Sequence, residues 1–199
     1  MLSWYYICMN ILLVNNGDAS AEALLKTIGD KHTVKVIDWQ TDSVGDDSSY
    51  DLIILSGGHN FPVVGNDKLL KSEMDLIVKT KKPLLGISYG CELIAFVFGG
   101  HLERMNDPQK GMVDVNVSIP DPLFGNSKHF QVYENHRWLI TDVPSQLTAL
   151  AYSSHGIEAL RHVSRPIYGL QFNPEKCDDR VCGEKILSNY FELLEKSRA

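Results

Sequence analysis

The sequence predicts an α/β fold of three layers, a mainly parallel sheet flanked by helices with an antiparallel or mixed β extension. Three observations carry this. Short, wholly apolar strand candidates at residues 11–14, 52–55 and 83–87 alternate with amphipathic helix candidates through the first half. Strands apolar on both faces belong in parallel sheets covered on both sides. Beyond residue 100 the period becomes strict alternation, as in Val113, Val115, Val117 and Ile119, which marks half-buried strands and hairpins. Finally, 199 residues with 44% apolar and 22% charged side chains supply a real core and exclude disorder.

Taken in order, residues 11–14 form a strand ended by the turn sequence Asn15-Asn16-Gly17-Asp18, whose residues tolerate tight backbone geometry. Residues 1–9 read as an extension or the start of that strand, because they lack the basic segment and cleavage site of a signal peptide. Ser20 caps a helix with Leu24, Leu25 and Ile28 on one face and Gly29 as its stop. Residues 33–37 are rich in β-branched side chains and read as a strand. Residues 38–51 hold five aspartates and no basic residue. They form a solvated connection around Asp42, Asp46 and Asp47 that lacks the pattern of a calcium loop.

Residues 52–55 run straight into Ser56-Gly57-Gly58. Asp67 opens a helix expected to turn Leu70, Met74, Ile77 and Val78 inward, and residues 83–87 are the next buried strand. Residues 112–119, 130–133, 147–152 and 167–172 are the later strands. Residues 178–196 place Val181, Leu187, Tyr190, Phe191 and Leu194 on one stripe, the signature of an amphipathic C-terminal helix. Residues 1–199 are expected to form one domain.

Whole classes of function drop out on composition. A formal net charge of −6 argues against a nucleic-acid surface, and no apolar run approaches the roughly 20 residues of a membrane span. The four cysteines, Cys8, Cys91, Cys177 and Cys182, show neither a CxxC pair nor a histidine at zinc spacing. They read as reduced thiols of a cytoplasmic protein without a metal site. Trp4, Trp39 and Trp138 read as packing residues.

The chemistry concentrates at Gly86-Ile87-Ser88-Tyr89-Gly90. There a buried strand meets an apolar helix with no loop between them, and glycines stand two residues either side of Ser88. Such a turn strains its central residue and presents that side chain at a helix N-terminus, where free N–H groups favour a developing anion. Ser56-Gly57-Gly58-His59-Asn60 ends the neighbouring strand at the same sheet edge, so the Gly58 and Tyr89 N–H groups would make an oxyanion hole. A third strand ends in Gln171-Phe172-Asn173-Pro174-Glu175, where a base and its orienting acid would stand. The base position is Asn173, which takes no proton near neutral pH.

Together with Gly99-Gly100-His101-Leu102-Glu103-Arg104 and Val132-Tyr133-Glu134-Asn135-His136, these segments resemble the class I glutamine amidotransferase domain, a glutaminase with a Cys-His-Glu triad. The resemblance runs from about Asn10 to Phe191. Within the family it is nearest the glutaminase subunit of archaeal-type two-subunit GMP synthetases. It implies hydrolysis of glutamine through a γ-glutamyl enzyme, with ammonia passed to a separate ATP-dependent synthetase subunit. It implies no metal or organic cofactor. It also implies Ser88 in the nucleophile place, Asn173 in the base place and Glu175 in the orienting place. Gly57, Glu92 and a Glu134-Asn135-His136 loop would line the glutamine site.

Three departures from that pattern matter: Ser88 for Cys, Asn173 for His and Glu92 for Gln. A serine hydroxyl has a far higher pKa than a thiol and needs a strong base, and Asn173 supplies none. Stripped triads retain about 10³–10⁴-fold over water through binding and the oxyanion hole alone. The expectation is an inactive or strongly impaired site, in a natural pseudoenzyme or an inactivated variant. His59 and His136 are the histidines placed to substitute for the base.

Two other readings stay open. One is a serine hydrolase with Ser88, Asp142 and either His155 or His162 in chain order. The other is a non-catalytic binding or regulatory module that keeps the pocket for a glutamine-like molecule.

Overall fold

The computed structural model describes residues 8–17, 20–40, 45–58, 61–176 and 183–198. The readings placed on residues 1–7, Trp4, Asp18, Asp42, His59, Asn60, Cys177, Val181 and Cys182 lie outside them. Among the described residues nine strands form one mixed sheet in the order β2-β1-β3-β4-β9-β8-β7-β5-β6. The strands β1 (Asn10–Asn16), β2 (Thr33–Asp38), β3 (Leu52–Gly58), β4 (Leu84–Ile87) and β9 (Ile167–Leu170) pair parallel. The strands β5 (His101–Val117), β6 (His129–Asp142), β7 (Leu147–Ser153) and β8 (Gly156–His162) continue the sheet antiparallel from β9. The predicted architecture holds, with the antiparallel part larger than the sequence suggests.

Period-two alternation divides the core. Ile11 and Leu13 of β1 with Leu52 and Ile54 of β3 face one side, against Leu24 and Ile28 of α1 (Ser20–Ile28) and Ile186, Leu187, Tyr190 and Leu194 of α4 (Gly183–Arg198). Leu12, Val14, Ile53 and Leu55 face the other, against Ile77 of α2 (Lys71–Lys79) and Leu93 and Ile94 of α3 (Tyr89–Val97). Both faces of the parallel strands are therefore buried, the reason their sequences read as unbroken apolar runs. Gly29 ends α1 as expected: its φ is 70° and its N–H donates to Leu25 O at 3.0 Å.

Two expectations require correction. The helix expected to open at Asp67 begins at Lys71, and its inward stripe carries Glu73, Leu76 and Ile77, while Val78 is 58% exposed. The stripe centres between Leu76 and Ile77, and Val78, about 200° round the helix from Leu76, turns away from it. The strands at 112–119 and 130–133 are parts of a much longer β5–β6 ribbon, whose register shifts between Arg104 and Gln109. Polar residues in that ribbon hide it in the sequence, because a strand with one wet face needs no apolar run.

Candidate active site

Ser88 is the one non-glycine residue with positive φ among the described residues, at φ 50° and ψ −105°. That conformation costs about 1–3 kcal/mol and persists because the surroundings leave no alternative. A Cβ on Gly86 would strike Gly90 O, and one on Gly90 would strike Leu55 O. The Ser88 N–H donates to Leu170 O at 2.7 Å, and Ser88 O accepts from the Cys91 and Glu92 N–H groups at 2.9 and 3.0 Å. The strand-to-helix turn read from the sequence is thus real, and it aims Ser88 into a cavity of about 390 Å³.

Gly58 lies beside this turn. A Cβ there would come within 2.5 Å of Asn16 O and 3.3 Å of Tyr89 Cγ, so only glycine lets the three backbones close up. The Asn16 N–H donates to Ser56 Oγ at 3.0 Å and its side-chain amide to Ser56 O at 3.3 Å, holding the end of β3 against β1. Tyr89 is the first residue of α3, so its N–H has no acceptor within the helix. Gly58, Ser88 and Tyr89 all line the cavity, whereas Gly57 is buried behind it with its carbonyl accepting from Ser56 Oγ at 2.8 Å.

Asn173 and Glu175 are brought together as the sequence suggests. Asn173 Nδ2 donates to Glu175 Oε1 at 3.0 Å, and the Asn173 N–H donates to Tyr133 O at 2.9 Å. Both side chains are buried. The amide reproduces one half of an imidazole's task, donation to the acid. Asn173 Oδ1 is buried without a hydrogen-bond partner among the described residues, and an amide oxygen there accepts but cannot shuttle a proton.

The wall opposite the elbow is strand β6, not a loop, which corrects the expectation for Glu134, Asn135 and His136. The three do not share one environment. Asn135 and His136 line the cavity, while Glu134 is fully buried behind them. His136 Nδ1 donates to Trp138 O at 2.7 Å, since a carbonyl only accepts, and His136 Nε2 stands 3.1 Å from Glu134 Oε2. Both ring nitrogens are therefore committed inside the protein, and His136 has none left to act as a base.

Behind it lies Glu158, fully buried, whose Oε1 accepts from Ser153 Oγ at 2.6 Å. Burial, then repulsion from Glu134, pushes the Glu158 pKa well up, and burial also raises Glu134. Glu134 Oε1 and Glu158 Oε2 have no donor of their own among the described residues. Both carboxyls are thereby biased towards their protonated forms, Glu158 more strongly than Glu134.

Glu92 lines the cavity one helical turn from Ser88, and it is 4% exposed. Its Oε1 accepts from Gln171 Nε2 at 3.1 Å. Burial raises its pKa to about 7, against the opposing pull of the Gln171 hydrogen bond and the His136 charge. Cys91, its neighbour, is fully buried with Sγ against Gly169, and burial raises its thiol pKa. It cannot replace the nucleophile.

Sequence reasoning misses Arg104, Arg137 and Trp138, which complete the cavity wall. Arg104 stands in the Gly99–Arg104 motif, but its orientation depends on the ribbon's register shift, and Trp138 reads from sequence as packing alone. The serine hydrolase residues are not assembled. His162 follows Arg161, which pairs with Tyr168 at the opposite end of β9 from Ser88, and its Nδ1 accepts from the Ser164 and Arg165 N–H groups. His155 Nδ1 stands 3.8 Å from Glu134 Oε2, outside hydrogen-bond reach, and Asp142 is exposed where β6 meets His101. Among the described residues no group of three or more His, Cys, Asp or Glu side chains is disposed to hold a metal, and no helix is long and apolar enough to cross a membrane.

The sequence model of the glutamine amidotransferase class-I family matches residues 12–192. The chain belongs to that family. It is 33% identical over 191 residues to a subunit of the glutamine-hydrolyzing GMP synthase of Methanococcoides burtonii, covering 94% of this chain and 97% of the relative. It is 29% identical over 190 residues to the same subunit in Methanothrix thermoacetophila, covering 94% and 100%. A crystal structure of a protein from Thermoplasma acidophilum, provisionally named as that GMP synthase subunit, superimposes with a TM-score of 0.83 at 26% identity, over 98% of both chains. A glutamine amidotransferase from Thermotoga maritima shares the fold, with a TM-score of 0.70 at 22% identity over 94% of this chain and 85% of that one. The elbow at Ser88, the Gly58 turn and the buried Asn173–Glu175 pair are this amidotransferase chain's versions of the segments that carry the resemblance.

Proposed function

We propose that this class I glutamine amidotransferase is the glutaminase-type subunit of a two-subunit GMP synthase, paired with a separate ATP-dependent synthetase subunit, and that it retains the glutamine pocket without the hydrolytic chemistry. The observation that carries this is the Asn173 Nδ2 to Glu175 Oε1 bond of 3.0 Å beside a strained Ser88 elbow. A triad's framework stands around two side chains that perform no acid–base step. Hydrolysis requires a base to take the nucleophile's proton and return it to departing ammonia. Asn173 cannot, His136 is committed to Trp138 O and Glu134, and Glu92 bonds Gln171 and makes no hydrogen bond to Ser88. In this reading Gly58 and Tyr89 supply oxyanion donors, and Arg104 and Arg137 hold the ligand's carboxylate at the cavity mouth.

Glutamate release from glutamine tests it, for the chain and for a Ser88→Cys, Asn173→His double variant, each with and without a synthetase subunit. The expected result is no release by the original chain and a gain of at least about 10³-fold in the double variant. A clear rate from the original chain overturns the loss of chemistry. Silence of the double variant even with the synthetase overturns the glutamine pocket.

A further inference from the structure

Glu92 enters the proposed function only as a wall residue, yet it is a carboxyl where a cavity for a neutral carboxamide would want a donor–acceptor pair. The cavity is graded in charge. Arg104 is exposed and Arg137 half-buried at its mouth, whereas Glu92 is 4% exposed at its floor. A zwitterionic ligand therefore keeps its charged end at the rim, because burying an unpaired charge is costly. Its neutral end goes to the floor, beside Ser88 and Glu92.

The groups facing Glu92 come from each element around it. Gln171, beyond β9, donates to Oε1; His136 of β6 opposes the rise in its pKa; Cys91 and Tyr89 of α3 have pKa values raised first by burial and further by its charge. Arg104 and Arg137 stand across the cavity. The Gln171 amide satisfies one carboxyl oxygen and leaves the other for the ligand. A carboxylic acid presents an O–H donor and a C=O acceptor, like a side-chain amide, while a carboxylate only accepts.

We propose that Glu92 makes ligand binding proton-linked: the protonated acid accepts a carboxamide-bearing amino acid such as glutamine, and the ionised form rejects it. The inference rests on the glutamine-pocket reading. Burial, the largest influence on Glu92, places its titration near neutrality, at about 7. The site is then a pH gate in the range where cells operate.

The test is calorimetric titration of the whole chain with glutamine across pH, beside Glu92→Gln, an isosteric variant that keeps a donor and cannot ionise. For the original chain the apparent Kd equals the intrinsic value divided by the protonated fraction, so it rises about tenfold from about pH 6 to about pH 8. Glu92→Gln is expected to bind within about twofold of one affinity over that range. Carbon-13 NMR of the glutamate carboxyls supplies a second readout, in which ligand raises the Glu92 midpoint. Affinity that is flat with pH in the original chain, or that strengthens as pH rises, overturns the proton linkage and leaves the pocket reading standing. A pH dependence that survives in Glu92→Gln also overturns it. Absence of glutamine binding in both forms at every pH overturns the pocket reading and this inference together.

Discussion

On the elbow wall of the cavity, from Gly58 to Ser88 and Gly90, backbone meets backbone with no side chain between. On the β6 wall, from Glu134 to Trp138, buried polar side chains meet one another: His136 with Glu134, Glu134 with Glu158, Glu158 with Ser153. The first wall is fixed by excluded volume, which neither pH nor salt changes. The second is fixed by hydrogen bonds among buried polar groups, two of which, Glu134 and Glu158, have pKa values raised by burial. A nucleophile's position is thus set sterically and a ligand's electrostatic surroundings are set by protonation, and the two can diverge. The proposed loss of hydrolytic chemistry leaves the first wall intact, because volume alone holds it.

The contrast is broken most severely at Gly90. Gly90→Ala puts a Cβ against Leu55 O and within 2.8 Å of Leu55 Cβ, both held by the centre of the sheet. The expected loss is about 3 kcal/mol or more in urea unfolding, or failure to fold. A loss within about 0.5 kcal/mol would show that the elbow is not held by volume.

The elbow side also holds, besides Glu92, the buried carboxyl of Glu73, whose pKa burial raises to about 7, an effect the Asn16 side chain offsets without completing a hydrogen bond to either oxygen. Folding therefore favours its protonated form. Its contribution is full below the ordinary value of 4.5 and is lost as pH rises through about 7. The stability of the original chain relative to Glu73→Gln is expected to fall by about 2–3 kcal/mol between about pH 5 and about pH 8. Parallel pH curves for the two proteins would show that Glu73 does not couple folding to pH.

The smallest of these effects sharpens the other wall. Ser153→Ala removes the donor to Glu158 Oε1 and the acceptor of the His155 N–H, at 2.6 and 2.8 Å. The expected cost is about 1–2 kcal/mol in thermal unfolding, with Gly58, Ser88 and Tyr89 unmoved.

How legible the molecule is from its sequence follows the same division. Leu55-Ser56-Gly57-Gly58 and Gly86-Ile87-Ser88-Tyr89-Gly90 announce strand, turn and helix because glycine placement and apolar runs are local signals. Asn173 and Glu175 pair on two residues of spacing. The loop reading of the β6 wall comes from the resemblance, since its polar residues give no apolar run, and Val78 reads as inward because it stands four residues beyond Met74. Arg137 and Glu158 carry no local signal, and Arg104 is marked only by the motif it ends. Their roles depend on a register shift in β5–β6 and on the pairing of β7 with β8.

By itself the sequence determined the α/β alternation, the glycine-bounded elbow and the loss of thiol and imidazole at positions 88 and 173, since each is a property of neighbours along the chain. Only the tertiary structure decided that His136 spends both nitrogens within the protein, that burial raises the Glu134 and Glu158 pKa values and that burial lifts that of Glu92 to about 7. Desolvation and hydrogen-bond partners create those properties, and both arise from residues as far apart in sequence as Glu92 and Gln171.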